Sequence, residues 1–373
     1  MNVAYPKSGY TTPDQTLDGF IQLVQAGFEN PEGRRGTVRV VVDGYPHLGF
    51  RARFFDDLRV DRPQEYYEAD TEIRFSLSTL ELIFREFEVV DWRSPEVIGS
   101  TELKGDQSLA FLLAFSCLRP SDWTRERFAK VARKHKQKGY RDGVVIQRLE
   151  TPSQYQLLEA MEESLPIIIT GLEPTPPCDD WSLDRLEQEY GEAVVFMRSA
   201  SDHVTMKRFV AELRNSGEGQ VKGGSSLEFK SYTEGSRLPD EMAGNFGTMY
   251  FETEDFVPPQ LWFGAVATDV PATPLHRDPL TGFLFQVIGR KRLDLYSADQ
   301  AELLYPYKSY NTYQKCWFQP DKPDFDKYPE AKAATCTSVE LHPGELLIQP
   351  AGWFHQVYAL DSPTMSVSYF WRY

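Results

Sequence analysis

The chain has 373 residues, room for two domains with separate cores, and 41% hydrophobic with 13% aromatic content describes a sequence that folds. Its formal charge of −15 argues against a protein that grips nucleic acid through a basic surface, because phosphate contacts need clustered Lys and Arg. Cys117, Cys178, Cys316 and Cys336 show no C-x-x-C spacing, so neither a structural zinc site nor a disulfide framework is indicated, and a reducing cytoplasm fits best. The N-terminus, MNVAYPKSGYTTPDQ, lacks the basic start and apolar stretch of a secretion signal. No apolar run approaches the roughly 20 residues needed to cross a bilayer, so no membrane span is expected.

Residues 1–142 read as an α+β accessory domain. Thr37–Val42, Phe50–Phe55 and Thr71–Phe75 look extended, and Leu77–Phe87 reads as a helix. GSTELKGD followed by QSLAFLLAFSC predicts a strand, a turn at Gly105-Asp106 and an amphipathic or buried helix. That order, with ADTEIRFSLSTLELIFREFE ahead of it, resembles the sterol-carrier-protein-like fold, which implies a sheet and helices around an apolar tunnel. The plainer reading is a helper domain that packs on the rest of the chain or supports dimerisation. The basic run from Arg125 to Arg141 is helix-like, with Phe128, Val131 and Ala132 as a narrow apolar stripe. It suits a solvated helix face or a docking surface for an acidic partner.

A boundary is expected near Lys136–Asp142, where the charged run ends and the apolar GVVIQRL begins. In residues 143–373, Ser153–Ser164 predicts a helix leading to the short strand LPIIITGL, and WSLDRLEQEYG a capped helix closed by Gly191. VVFMRSA reads as a strand and TMKRFVAELRNSG as a helix. From Ser226 onward short extended segments recur between turn residues, which suits a sandwich or barrel.

Two of the six histidines stand in contexts that invite a metal: TPLHRDP, with His276 and Asp278, and PAGWFHQV, with His355. On an extended strand residues i and i+2 point to one side, so His276 and Asp278 can offer an imidazole nitrogen and a carboxylate oxygen to one ion. A third ligand so much later in the chain must come from another strand. Two His and one carboxylate leave open positions of the kind iron(II) oxygenases use, whereas zinc more often fills four. By itself an H-x-D is weak, since a lone His is more often a hydrogen-bonded core or surface residue.

The stretch ATPLHRDPLTGFLFQVIGRKRLDLYSADQAELLYPY resembles the JmjC or cupin-like 2-oxoglutarate oxygenases, and within them the asparaginyl hydroxylases of hypoxia-inducible factor. HPGELLIQPAGWFHQVYALD matches the same family's turn, strand and third-ligand pattern, and SLPIIITGLEP, WSLDRLEQEYG, TMKRFVAELRNSG and LWFGAVATDVPATPLH recur in family order, so the resemblance covers about residues 145–373. It implies a mainly-β double-stranded β-helix, or jelly roll, with flanking helices. It also implies iron(II) on His276, Asp278 and His355, with 2-oxoglutarate and O2 as co-substrates. Thr273, three residues before His276, and Lys291, fifteen after it, fall where that family holds the distal carboxylate of 2-oxoglutarate. Without the flanking pattern Lys291 would read as one surface lysine of Arg290-Lys291-Arg292; strand alternation turns Arg290 and Arg292 outward where Lys291 turns in.

Departures from the hypoxia-factor hydroxylases lie around the co-substrate, where two family asparagines are replaced by Gly282 and Ser368. The family tyrosine on the distal carboxylate has Tyr232 as a candidate, which a purely structural Tyr would equally explain. Leu303–Thr337 forms an aromatic-rich insertion, either a lid or recognition surface or packing over the barrel mouth. The chain stops at Tyr373, before the helices by which several relatives dimerise, so a homodimer would use another surface. The resemblance implies hydroxylation of an unactivated C–H bond of an amino-acid side chain in a peptide, protein or carrier-bound intermediate, lipophilic if the N-terminal tunnel exists. The alternatives are a 2-oxoglutarate-dependent N-demethylase and a non-catalytic binding protein that uses the N-terminal domain. Asp278 disfavours halogenation, for which family members carry a small residue there.

Overall fold

Apolar residues at every second position from Val38 to Phe54 fold as a hairpin whose buried side faces helices, in a computed structural model that describes residues 12–62, 67–86, 90, 97, 100–116, 118–172, 177–197, 203–215, 231–246 and 250–373. The chain divides into two compact units. The first comprises Met1–Trp123 with Ser199–Ser201 and Tyr307–Trp317; the second comprises Thr124–Arg198, Asp202–Pro306 and Phe318–Tyr373.

In the first unit, α1 (Pro13–Gly27) precedes β1 (Gly36–Val42), β2 (Tyr45–Phe54), β3 (Leu58–Asp61) and β4 (Thr71–Phe75). Then follow α2 (Leu77–Arg85), β5 (Thr101–Gly105) and α3 (Gln107–Ser116). Helix α1 starts on a capping box between Thr12 and Gln15 with Pro13 next in line, the local chemistry that satisfies orphan N–H groups. The sheet order is β3-β2-β1-β4-β5, with β1 and β4 parallel and the other pairs antiparallel. Val38, Val40, Phe50, Phe54 and Ile73 bury one face against Leu17, Phe20, Leu80 and Leu113. The opposite face carries ion pairs such as Arg51 with Asp61 and Arg39 with Glu72. The turn after β5 needs glycine: Gly105 sits at φ +95, and a Cβ there would lie 2.1 Å from Asp70 O. Phe87 and Cys117 lie outside the described residues.

The second unit holds α4 (Asp122–Lys138, whose first two residues belong to the first unit), β6 (Gln147–Glu150), α5 (Gln154–Glu163), β7 (Ile167–Thr170), α6 (Leu183–Tyr190), β8 (Val194–Phe196), β9 (His203–Thr205), α7 (Met206–Asn215), β10 (Ser236–Arg237) and α8 (Asp240–Ala243). Further on come β11 (Gln260–Gly264), β12 (Thr273–Arg277), β13 (Thr281–Ile288), β14 (Lys291–Tyr296) and α9 (Ala301–Leu304). β15 (Gln314–Lys315) lies in the segment assigned to the first unit, and β16 (Thr337–Leu341), β17 (Leu346–Gln349), β18 (Phe354–Ala359) and β19 (Thr364–Trp371) complete the chain. One sheet runs β10-β11-β19-β13-β17-β7-β6, and the second unit's other large sheet runs β12-β18-β14-β16. Ile168 and Leu347 of the first pack with Leu293, Leu295 and Val357 of the second, so both sheets bury one face in a common core. This is the mainly-β architecture with flanking helices that the sequence predicts for the C-terminal half.

The basic helix α4 turns Arg125, Lys130, Arg133, Lys136 and Lys138 to solvent and buries Phe128 and His135. His135 accepts the Ala298 N–H at Nδ1 (2.9 Å) and lies 3.0 Å from the Ser164 hydroxyl through Nε2. Its ring also packs on Trp353. Half of the aromatic insertion is packing: Phe318 and Tyr328 are buried against each other, while Tyr307 stacks on Trp317 within the first unit. Among the described residues no helix is long and apolar enough to cross a membrane.

Burial holds the His135 imidazole down to about 4, below its ordinary 6.5. The folded state therefore binds this proton less readily than the unfolded chain, so the associated stability is complete above about pH 6.5 and is lost as pH falls toward 4. The shift corresponds to a loss on the order of 3 kcal/mol. Urea titrations at pH 7.5 and 5.0 should show a smaller acid-induced loss for His135→Gln than for the unaltered chain; equal losses would remove His135 as a source.

Candidate metal centre

Register brings the metal-ligating candidates together. Strands β12 and β18 pair antiparallel with His276 directly opposite His355, and their rings lie 4.0 Å apart between centroids. Asp278 follows the end of β12, and its backbone carbonyl accepts the Gly352 N–H at 2.9 Å. Its Oδ2 lies 3.8 Å from His276 Nε2 and 3.6 Å from His355 Nε2. One donor atom from each of the three residues falls within 4.8 Å of the others, close enough to hold one metal ion. Arg277, between the first two, turns the other way and packs its guanidinium over Phe128 and Phe354. This is the i, i+2 alternation expected of an extended strand.

The turn carrying His355 is built locally. Gly352 takes φ +84, and a Cβ there would meet Val131 and Phe128 of α4 at 3.4–3.6 Å. Trp353, 1% exposed, donates its indole N–H to Ser164 O at 2.8 Å and fixes the strand start one residue before Phe354. His276 places Nδ1 2.8 Å from Pro274 O; a carbonyl only accepts, so Nδ1 carries a proton, and in the neutral ring the Nε2 lone pair is then the one available to a metal. Burial lowers His355 to about 4, leaving a neutral imidazole at neutral pH.

Lys291 is the second feature. Its side chain is 1% exposed, whereas Arg290 and Arg292 turn outward to Asp361 and Asp294. Lys291 Nζ donates to Tyr232 Oη at 3.3 Å, and among the described residues no carboxylate stands within ion-pair distance of it. Burial alone lowers its pKa to about 7. Tyr232 reaches this point because β11 ends on Gly264, at φ +141, where a Cβ would lie 1.9 Å from Ser231 O; the bridge Tyr232 to Gly264 needs that gap. On β14, Lys291, Leu293 and Leu295 lie opposite Ala359, Val357 and His355, so Lys291 shares a face with His355, roughly 13 Å further along the strand.

The other sequence candidates are distributed around this face. Thr273 lies opposite Val357, on the flank of β18 away from β14, and a register shift between Thr273 and His276 lets two residues three apart keep partners of like phase. Ser368 is buried and accepts the Trp262 indole N–H at 2.8 Å. Gly282 stands opposite Gln349, whose carboxamide lies 2.7 Å from His355 Nδ1. Sequence reasoning passed over Gln349 and Trp262. A polar residue closing the apolar run Leu346–Ile348 was the available signal for the first; nothing local signals the second.

With that geometry in view, comparisons with known proteins become informative. The cupin-like domain family matches residues 129–373, well over half of the chain, and the protein belongs to that family. Lysine-specific demethylase 8 of Danio rerio is 26% identical over 244 residues, covering 61% of this chain and 58% of that protein. Jumonji C domain-containing protein 5 of Drosophila melanogaster is 26% identical over 247 residues, 61% of this chain and 60% of that protein. The tRNA wybutosine-synthesizing protein 5 of Gallus gallus is 26% identical over 241 residues, 56% and 70% respectively. The chain is thus a JmjC-type cupin that spans less than two thirds of the length of the first two of these relatives.

If the three side chains share one ion, replacing any of them by Ala should weaken Mn(II) binding by at least about 100-fold, more than is typical for loss of an outer hydrogen-bond partner. Electron paramagnetic resonance of free Mn(II) measures this. Lys291→Met should leave that affinity unchanged.

Proposed function

We propose that the second unit is an iron(II)- and 2-oxoglutarate-dependent oxygenase that hydroxylates an unactivated C–H bond. The observation that carries this reading is Lys291: a buried ammonium facing a phenol and no carboxylate, on the face of β14 that leads to His355. Burying an unpaired cation is costly, and a ligand carboxylate relieves the cost. A dicarboxylate co-substrate would lie with one end at the His276, Asp278 and His355 donors and its far carboxylate toward Lys291 and Tyr232, which stand on the same face of the sheet. The donor set, two imidazoles and one carboxylate, suits iron(II) and would leave positions for co-substrate and O2. When bound, these groups supply oxidative decarboxylation of 2-oxoglutarate to succinate and CO2, with one oxygen atom transferred to the substrate carbon.

The protein's own side chains do the positioning. Lys291 supplies the charge at the distal carboxylate, Tyr232 and Thr273 the hydroxyl donors beside it, and Ser368 a hydroxyl near Gly282 in place of an amide. His276 and His355 are buried and Asp278 is partly exposed, which would leave the carboxylate side for substrate and co-substrate to approach. The substrate class we favour is an amino-acid side chain in a peptide, protein or carrier-bound intermediate. The demethylase names among the relatives support a second outcome of the same chemistry, in which the oxidised carbon is an N-methyl group and formaldehyde is lost. The first unit we assign an accessory role, with an apolar ligand as the occupant to seek in it.

Substrate-free turnover of 2-oxoglutarate, followed as succinate, should disappear in His276→Ala and Asp278→Ala. Lys291→Met should raise KM for 2-oxoglutarate by about 100-fold, the loss of one charge-assisted contact of 2–3 kcal/mol. Succinate production that ignores all three substitutions would overturn the assignment, whereas formaldehyde released in step with succinate would select demethylation.

Binding should also take up a proton. Free Lys291 has its pKa lowered to about 7, so at pH 8 it is mostly neutral, and the incoming carboxylate stabilises the ammonium. Calorimetry of 2-oxoglutarate binding at pH 8 in buffers of different ionisation enthalpy should report uptake approaching one proton, abolished in Lys291→Met.

A further inference from the structure

The two histidine ligand candidates are held differently. His276 is locked by its own strand, with Nδ1 2.8 Å from Pro274 O. His355 has the equivalent carbonyl, Trp353 O, only at 3.4 Å, a contact too long to fix a ring by itself. The short contact on this nitrogen is the Gln349 carboxamide, at 2.7 Å. As placed, the amide nitrogen occupies that position; a half-turn about the terminal torsion brings the oxygen there instead. Two considerations favour the oxygen: Trp353 O, which cannot donate, faces the same nitrogen, and an ion shared with His276 and Asp278 needs the Nε2 lone pair, which puts the ring proton on Nδ1.

We infer that Gln349 is a positioning residue for His355: its amide oxygen accepts a hydrogen bond from Nδ1–H, holds the ring in one tautomer, and so keeps the Nε2 lone pair free for the ion that His276, Asp278 and His355 would share. Gln349 is 8% exposed and closes a strand whose other residues, Leu346, Leu347 and Ile348, are buried and apolar. A buried amide in such a strand needs a partner, and among the described residues His355 is the side chain at hydrogen-bond distance. Opposite residues of an antiparallel pair share a face, and the residue opposite Gln349 is Gly282. At this rung the polar side chain toward His355 therefore comes from β17, and β13 contributes none. The inference rests on the proposed metal centre for its purpose and on the hydrogen-bond geometry for its content.

Long-range proton–nitrogen NMR of the metal-free chain reads the tautomer directly, and His355→Gln assigns the signal. The unaltered chain should show His355 protonated at Nδ1. Gln349→Leu should shift the ring toward a mixture and weaken Mn(II) binding by about 10- to 100-fold, the usual effect of losing such a partner. Gln349→Glu, which keeps an acceptor oxygen, should restore the tautomer and return affinity to within about threefold. A His355 protonated at Nε2 in the unaltered chain would overturn the inference, as would an unchanged tautomer in Gln349→Leu. If Gln349→Leu fails to fold, the Glu variant and the tautomer of the unaltered chain still decide. Absence of Mn(II) binding in the unaltered chain would instead count against the metal centre, with the tautomer still testing Gln349.

Discussion

The pairing of β18 with both β12 and β14 is the constraint on which the rest of the site depends. One strand sets His355 opposite His276 on one side and opposite Leu295 on the other, and through Leu295 it fixes the phase of Lys291. A slip of one residue along either pairing would send the affected side chains to the opposite face. The register is held from outside the sheet as well as within it. Trp353 is anchored to Ser164, and Gly352 is pressed against α4 next to the rings that sandwich Arg277. Helix α4 therefore serves the site without contributing a candidate ligand.

The same geometry places groups where their solvation is poor. Lys291, His355 and His135 are buried, and the pKa of each moves toward its neutral form. In a core these residues cost stability relative to apolar side chains of similar size. Lys291 and His355 are held by the paired strands β14 and β18, and His135 by its contacts with Ala298 and Ser164. For Lys291 and His355, ligands of opposite charge or Lewis acidity would return part of that cost on binding. His135 has protein partners already and acts as a fixed polar joint between α4, the Ser164 corner and the start of the turn at Ala298.

Much of this was legible in the sequence where the signal is periodic or local. The H-x-D on an extended segment, the outward Arg290 and Arg292 around an inward Lys291, the capped helix starting after Ser153 and the turn at Gly105 all follow from alternation, caps and glycine. What remained hidden depends on contacts across many residues. Tyr232 could be a candidate only, because its meeting with Lys291 is made by an isolated bridge to Gly264 and the backbone hydrogen bonds of Thr233 and Ser231 on either side of it. Gln349 carries no motif; its meaning comes from a histidine six residues away across the turn. The insertion looked uniform in its aromatic content, yet Tyr307–Trp317 belongs with the first unit while Phe318 and Tyr328 pack in the second.

Hydroxylation and demethylation differ less at this site than their names suggest. Both begin with oxygen transfer to carbon, and they part only if that carbon is bonded to nitrogen, so that the product collapses with loss of formaldehyde. In the proposed assignment the donors His276, Asp278 and His355, and Lys291, would act on metal and co-substrate alone, and so would not distinguish the two. The distinction must reside in what surrounds the substrate carbon: a lining that accepts a methylated cation differs from one that accepts a neutral side chain. A relative named for lysine demethylation and one named for tRNA wybutosine synthesis are each 26% identical to this chain over the matched residues, so likeness at that level does not select the reaction. If the chain is the oxygenase proposed, reaction outcome is set by the residues around the substrate carbon, and the ligand strands set only the oxidant.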